Sequence, residues 1–285
     1  MKTLKKNSRG DAVLQLQKDL VILGYTLWAD GIFGLDTERV VKQFQTDQGL
    51  SADGIAGVNT LTVIKDLLQS NLIYGIDVSH HNGLINWNLV PFNEIKFVYC
   101  KASQGKSFKD SLFPTYFSEL KRLSVLRGAY HFFTFMGVTA REQADNFLSS
   151  GIDWKEEEIL PPVIDVEWQQ SPGLNQYILN NRIICVKKIR DWLSIIEEKS
   201  GRKPIIYTNA FFWKDYLNNP AGFEEYPLWV ASYRKDFPLL PAGWNEYTYW
   251  QFTESAAVLG ISGNVDKNIF NGTTGRLAEL AKPLF

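Results

Sequence analysis

Histidine and cysteine are scarce in this 285-residue chain, which has three of the first and two of the second. His80 and His81 adjoin and His131 stands alone, so no His-Glu-x-x-His pair exists to hold a catalytic zinc. That removes the zinc amidases and metallopeptidases. Cys100 and Cys185 sit in apolar contexts without CxxC spacing, which predicts buried thiols and gives no support to a Cys-His nucleophile. No apolar run approaches the roughly 18 residues of a membrane span. Charge of one sign is also missing: 30 Lys and Arg against 31 Asp and Glu leave a net −1. Such a balance gives no field to recruit nucleic acid or to drive insertion into an anionic membrane. The N-terminal stretch MKTLKKNSRGDAV is basic but lacks the apolar segment of a signal peptide, so synthesis in the cytoplasm without a cleaved leader is expected.

What the chain has in quantity is apolar and aromatic surface: 45% hydrophobic residues, nine Trp and twelve Tyr. A large core is affordable, and flat rings also stack on sugar faces, so a carbohydrate groove is a class worth testing.

Residues 30–37 read DGIFGLDT and residues 53–60 read DGIAGVNT. The Asp-Gly pairs predict tight turns, with Asp36 or Thr37 and Asn59 or Thr60 as N-caps of the helices that follow. The apolar faces of those helices are Val40, Val41 and Phe44, then Leu61, Ile64 and Leu68. Ser8 to Asp11 resembles a capping box for an earlier helix with Val13, Leu16, Leu20 and Leu23. Residues 1–70 therefore read as a small N-terminal three-helix domain. Its motifs, GDAVLQLQKDL through DGIFGLDTERVVKQFQTDQGL to DGIAGVNTL, resemble the type 1 peptidoglycan-binding family. That resemblance implies attachment to cell-wall glycopeptide. Tyr25 and Trp28 are either contacts or core, with core packing expected.

Beyond a short connector the rhythm changes. Apolar runs at 74–79, 96–103, 127–133, 160–167, 203–208, 228–233, 247–252 and 263–270 alternate with helical patterns such as residues 181–199. Continuously apolar strands covered by helices predict an α/β fold with a mostly parallel sheet, and eight of them an irregular (β/α) TIM-like barrel over residues 74–285. Chemistry in such a barrel collects at strand C-termini.

Acids stand there. Asp165 and Glu167, in PPVIDVEW, are two residues apart on an extended run and so point to one side. Asp77 ends the first strand and Asp266 lies on the eighth, its neighbour in a closed barrel. Four carboxylates in an apolar mouth should raise one another's pKa and keep one protonated, as glycosidic cleavage requires. A divalent cation held by the same acids is the alternative chemistry.

YGIDVSHHNGLINW, FVYCKASQG, GAYHFF, PPVIDVEW, PIIYT, PLWVASY, YWQF and VDKNIF, in this order, resemble the glycoside hydrolase family 25 muramidases. The resemblance implies cleavage of the β-1,4 bond from N-acetylmuramic acid to N-acetylglucosamine, without cofactor or metal. It places the general acid on Glu167 and functional aspartates on Asp77, Asp165 and Asp266. Tyr130, Tyr207, Trp229 and Gln251 match the saccharide-groove lining, with packing as the alternative for Tyr130 and Trp229. His131 is expected to satisfy a core hydrogen bond, and His80 and His81 to border the groove without a catalytic part. Retention by a carboxylate nucleophile, retention assisted by the substrate's N-acetyl group, and inversion all stay open, the second being favoured. A chitinase is disfavoured because Val163 and Leu160 stand where its further aspartates belong. The remaining rival is an inactive, lectin-like wall binder. The two-module layout looks like a phage or prophage endolysin, monomeric, with peptidoglycan glycan strands as partner and the wall as its place of action after release.

Overall fold

The computed structural model describes residues 2–70, 72–234 and 237–283. The chain divides into two compact units, residues 1–72 and 73–285.

In the first, helices α1 (Asp11–Ile22), α2 (Leu35–Asp47) and α3 (Val58–Ser70) bury Val13, Leu16, Leu20, Val40, Val41, Phe44 and Ile64 around Phe33. The repeated Asp-Gly turns form as expected, Gly31 and Gly54 taking φ of 75° and 76° where a side chain would be strained. The expected caps do not form. Gly10 and Gly34 precede α1 and α2 without any side-chain cap, and Ser8 Oγ instead accepts from Lys5 N. Thr37 and Thr60 lie inside their helices because each hydroxyl answers a buried glutamine. Gln17 Nε2 donates to Asp30 Oδ1, Ile32 O and Thr37 Oγ1, and Gln45 Nε2 repeats the pattern on Asp53 Oδ1, Ile55 O and Thr60 Oγ1. One amide per turn thus satisfies the polar groups of the turn itself. Tyr25 packs edge-on to Phe44, with its hydroxyl on Asp47. Trp28 departs from the expected core placement: it is 83% exposed.

In the second unit, β1 (Ile73–Val78), β2 (Ile95–Gln104), β4 (Leu126–Phe132), β5 (Val163–Val166), β6 (Ile205–Thr208), β7 (Leu228–Ala231), β8 (Tyr249–Ala256) and β9 (Val265–Phe270) close a barrel through the β1–β2 pairing. A two-residue strand absent from the sequence reading, β3 (Phe108–Lys109), pairs outside it on β2. Neighbours from β1 through β2 and β4 to β8 run parallel, but β9 is antiparallel to both β8 and β1. Residues 257–264 hold no helix, and a parallel return needs about a dozen residues, so the chain can only double back. Helices over Phe113–Arg122, Ala140–Leu148 and Arg182–Ser200 occupy crossovers earlier in the chain.

Alternation then sorts side chains. The lower interior holds Phe97, Tyr99, Val163, Ile205, Trp229, Tyr249 and Phe270. Gly75 and Gly128 make room for it: a Cβ on either would run into the ring of Phe97 or Tyr99, their register partners on β2.

Candidate active site

The same inward parity that buries the rings brings acids to the mouth one step higher. Asp77, Asp165, Glu167 and Asp266 line one cavity of about 260 Å³, with Lys101, His81, Tyr130, Phe132, Tyr207, Trp229 and Gln251. Asp165 is the third residue of β5, and Glu167 follows the strand by one, so the expected i, i+2 pair does face one side. Asp77 and Asp266 are direct register partners. Because β9 is reversed, Asp266 reaches the mouth from the start of its strand, whereas Asp77 reaches it near the end of its own.

Asp77 Oδ2 accepts from Asn268 Nδ2 at 2.8 Å and from Gln251 Nε2 at 3.1 Å. Burial raises its pKa, and those donors, with a hydrogen bond from Asp266, pull it back. Asp266 is pushed up to about 8, by burial first and the Asp77 charge second. The pair therefore shares one proton near neutral pH, held on Asp266. Glu167 is pushed up to about 7 by burial, then by Asp77, with Lys101 opposing. Asp165 is raised well above the usual range by burial and by Glu167, with Lys101 opposing, and its Oδ1 is buried without a hydrogen-bond partner among the described residues.

The other expected residues serve this centre in different ways. Tyr207 and Tyr233 both donate to Gln251 Oε1, at 2.9 and 3.0 Å, so Gln251 is engaged with two hydroxyls and Asp77. Trp229 is buried, its ring 4.9 Å from that of Tyr99 and its Nε1 on Asn268 Oδ1 at 2.8 Å; it packs the cavity floor and orients the Asp77 donor. Tyr130 lines the wall, its pKa raised well up by burial. His131 is buried, within 2.8 Å of Ser103 Oγ and stacked on Trp192, and burial pushes its pKa down to about 3, so it stays neutral. His80 Nδ1 lies 2.6 Å from the buried Asp110, while His81 borders the cavity. Both cysteines are free and buried. Among the described residues, no group of three His, Cys, Asp or Glu side chains is arranged to hold a metal.

Two participants went unread in the sequence. Asn268 stands two residues from Asp266, the same spacing that singled out Asp165 and Glu167. Lys101 interrupts the apolar run KFVYCKAS, which was itself a signal.

A raised carboxyl pKa also leaves a mark on stability. From about pH 4 to 8 the folded chain holds a proton on Asp266 that the unfolded chain releases, so stability falls as pH rises through this window. Asp266→Asn should match the parent in Tm near pH 4 and exceed it above pH 8, and equal Tm at both ends in thermal melts would contradict the shared proton.

Comparison with known proteins gives the geometry a family. Residues 76–261 match the model for glycosyl hydrolases family 25, and residues 9–64 that for a putative peptidoglycan binding domain. Lysozyme M1 of Streptomyces globisporus is 34% identical over 215 residues, spanning 73% of this chain and 71% of that protein. The crystal structure of a Streptomyces coelicolor lysozyme superposes with a TM-score of 0.69 at 34% identity, over 73% of this chain and 96% of that one. A family GH25 lysozyme from Aspergillus fumigatus gives 0.68 at 28%, over 74% and 99%. An acid held protonated over a sugar-sized cavity, in this barrel and with these relatives, has one reading: the chain belongs to glycosyl hydrolase family 25, as a lysozyme-like muramidase carrying an N-terminal peptidoglycan-binding domain.

Proposed function

We propose that Glu167 is the proton donor to the leaving sugar oxygen, that Asp165 engages the substrate's acetamide, and that the enzyme is a phage or prophage endolysin. The observation that carries the chemistry is the pair at the end of β5: Glu167 neutral up to about pH 7, and beside it a buried Asp165 oxygen that accepts from nothing among the described residues. In the muramidase reaction the acetamide oxygen attacks the anomeric carbon as the bond to the aglycone oxygen breaks and takes the Glu167 proton. An N–H donated to Asp165 Oδ1 favours its ionised form and offsets the charge on the resulting ring. The Glu167 carboxylate then removes a proton from the water that opens this intermediate, giving net retention. Asp77, anchored by Asn268 and Gln251, acts through charge: it keeps Glu167 from losing its proton early.

Glu167→Gln should lower kcat on purified peptidoglycan by about a hundredfold or more, and the parent should release reducing-end muramic acid with activity declining as pH rises past 7. New reducing ends formed by the variant at the parental rate would remove Glu167 from the role.

Two modules with one target raise the local concentration of glycan at the barrel. A chain lacking residues 1–70 should lose more activity on intact walls than on short soluble fragments, whereas equal losses would count against tethering.

The endolysin reading rests on the pairing of a wall-binding unit with a muramidase. Cells expressing the protein internally should grow normally until the membrane is permeabilised, then clear within minutes. Clearing without permeabilisation, or none after it, would assign the enzyme elsewhere.

A further inference from the structure

Lys101 is a cation kept where cations are costly. It is only 8% exposed, and among the described residues no other Lys or Arg lines the carboxylate cavity. Its ammonium is held by uncharged groups: Gln104 Oε1 at 2.8 Å and the ring of Phe132, whose centroid is 4.9 Å away, with the Phe108 ring at 5.7 Å. Among the described residues it forms no ion pair within 4.0 Å. Phe132 is also the register partner of Asp165 on the adjoining strand, so the lysine is pinned against the wall that carries that acid. A buried charge that is held by a neutral amide and rings, and not consumed by a direct pair, acts on the groups around it at a distance.

Those groups are Asp165 from β5 and Glu167 just after it, Asp77 from β1, Asp266 from β9, Asp110 after β3, His81 on the loop after β1 and His131 on β4. The two histidines feel Lys101 as a repulsion that favours their neutral form. The acids are the ones it can sort. Asp165 and Glu167 are both carboxylic acids, two residues apart and lining one cavity, yet the reaction as proposed needs one ionised and the other protonated.

We infer that Lys101 is a positioning residue that biases the proton: fixed by Gln104 and Phe132 on the Asp165 side of the cavity, it favours an ionised Asp165 over an ionised Glu167, so that once the substrate N–H engages Asp165 the proton is left to Glu167. The inference rests on the muramidase roles proposed above and adds what breaks their symmetry. It gives the amide of Gln104 a function, since a carboxylate there would pair with the ammonium and cancel it.

The test compares Lys101→Met, Lys101→Arg and Gln104→Ala with the parent in the full-length enzyme, measuring kcat and KM on soluble glycan fragments from pH 4 to 9. In Lys101→Met the acid limb of the kcat profile, set by the group that must be ionised, should move up by about one pH unit, and by more than the alkaline limb. At pH values below the shifted limb kcat should fall about tenfold with KM little changed. Lys101→Arg should restore the limb, and Gln104→Ala, which frees the ammonium without removing it, should shift it part way. An unmoved acid limb overturns the inference, as does a loss confined to KM, which would make Lys101 a substrate contact. Should the methionine variant not fold, an unmoved limb in Gln104→Ala has the same force. Failure of the muramidase roles is distinguished by the parent itself, which would then release no reducing-end muramic acid.

Discussion

Exclusion of water from the inside of the barrel is the constraint on which the rest depends. Phe97, Tyr99, Trp229, Tyr249 and Phe270 fill the lower interior, and the acids stand directly above them on the same inward parity. A carboxylate there has lost its hydration and gained neighbours of like charge, so protons are retained well above the usual carboxylate range. From this follow the proton shared by Asp77 and Asp266, the acid form of Glu167, and the need for something to decide which member of the β5 pair is ionised. The floor in turn requires glycine at 75 and 128, because strands bearing any larger residue there could not approach the rings of Phe97 and Tyr99.

Polar side chains inside this enzyme are ordered by amides. Asn268 and Gln251 converge on one oxygen of Asp77, and behind them stand Trp229, Tyr207 and Tyr233. A chain of donors with each hydrogen bond answered is stiff, which suits a centre whose charges must act at fixed distances. The small unit uses the same device for a structural purpose, Gln17 and Gln45 each filling a turn with hydrogen bonds to backbone and threonine.

Much of this could be read from residue order, and the part that could not has physical reasons. Strand parity made Asp165 and Glu167 a pair before any fold was known. Closure of an eight-stranded barrel made Asp77 and Asp266 neighbours, and they are in register. Period-2 reasoning does not report strand direction, so the reversal of β9 was invisible in VDKNIF. Nor does it report pairing by so short a segment as β3. Cap propensities favoured Ser8, Asp36 or Thr37, and Asn59 or Thr60, but those preferences amount to about 1 kcal/mol, and at Thr37 and Thr60 they gave way to buried glutamines that use the hydroxyls. Trp28 was expected inside because tryptophan is mostly buried, and nothing local to residue 28 overrides that average. Lys101 was not singled out, although a charge at an inward position of an apolar strand was itself the clue.

The turned-back final strand has a consequence for how the enzyme comes into being. Asp266 arrives on the last barrel strand in chain order, and until Val265–Phe270 slots between β8 and β1 the barrel has two open edges and half of its proton-sharing pair is absent. Such distant strands join late, since the intervening loop must be closed before their contacts reward it. The acid cluster of the mouth is therefore completed by the same step that seals the fold.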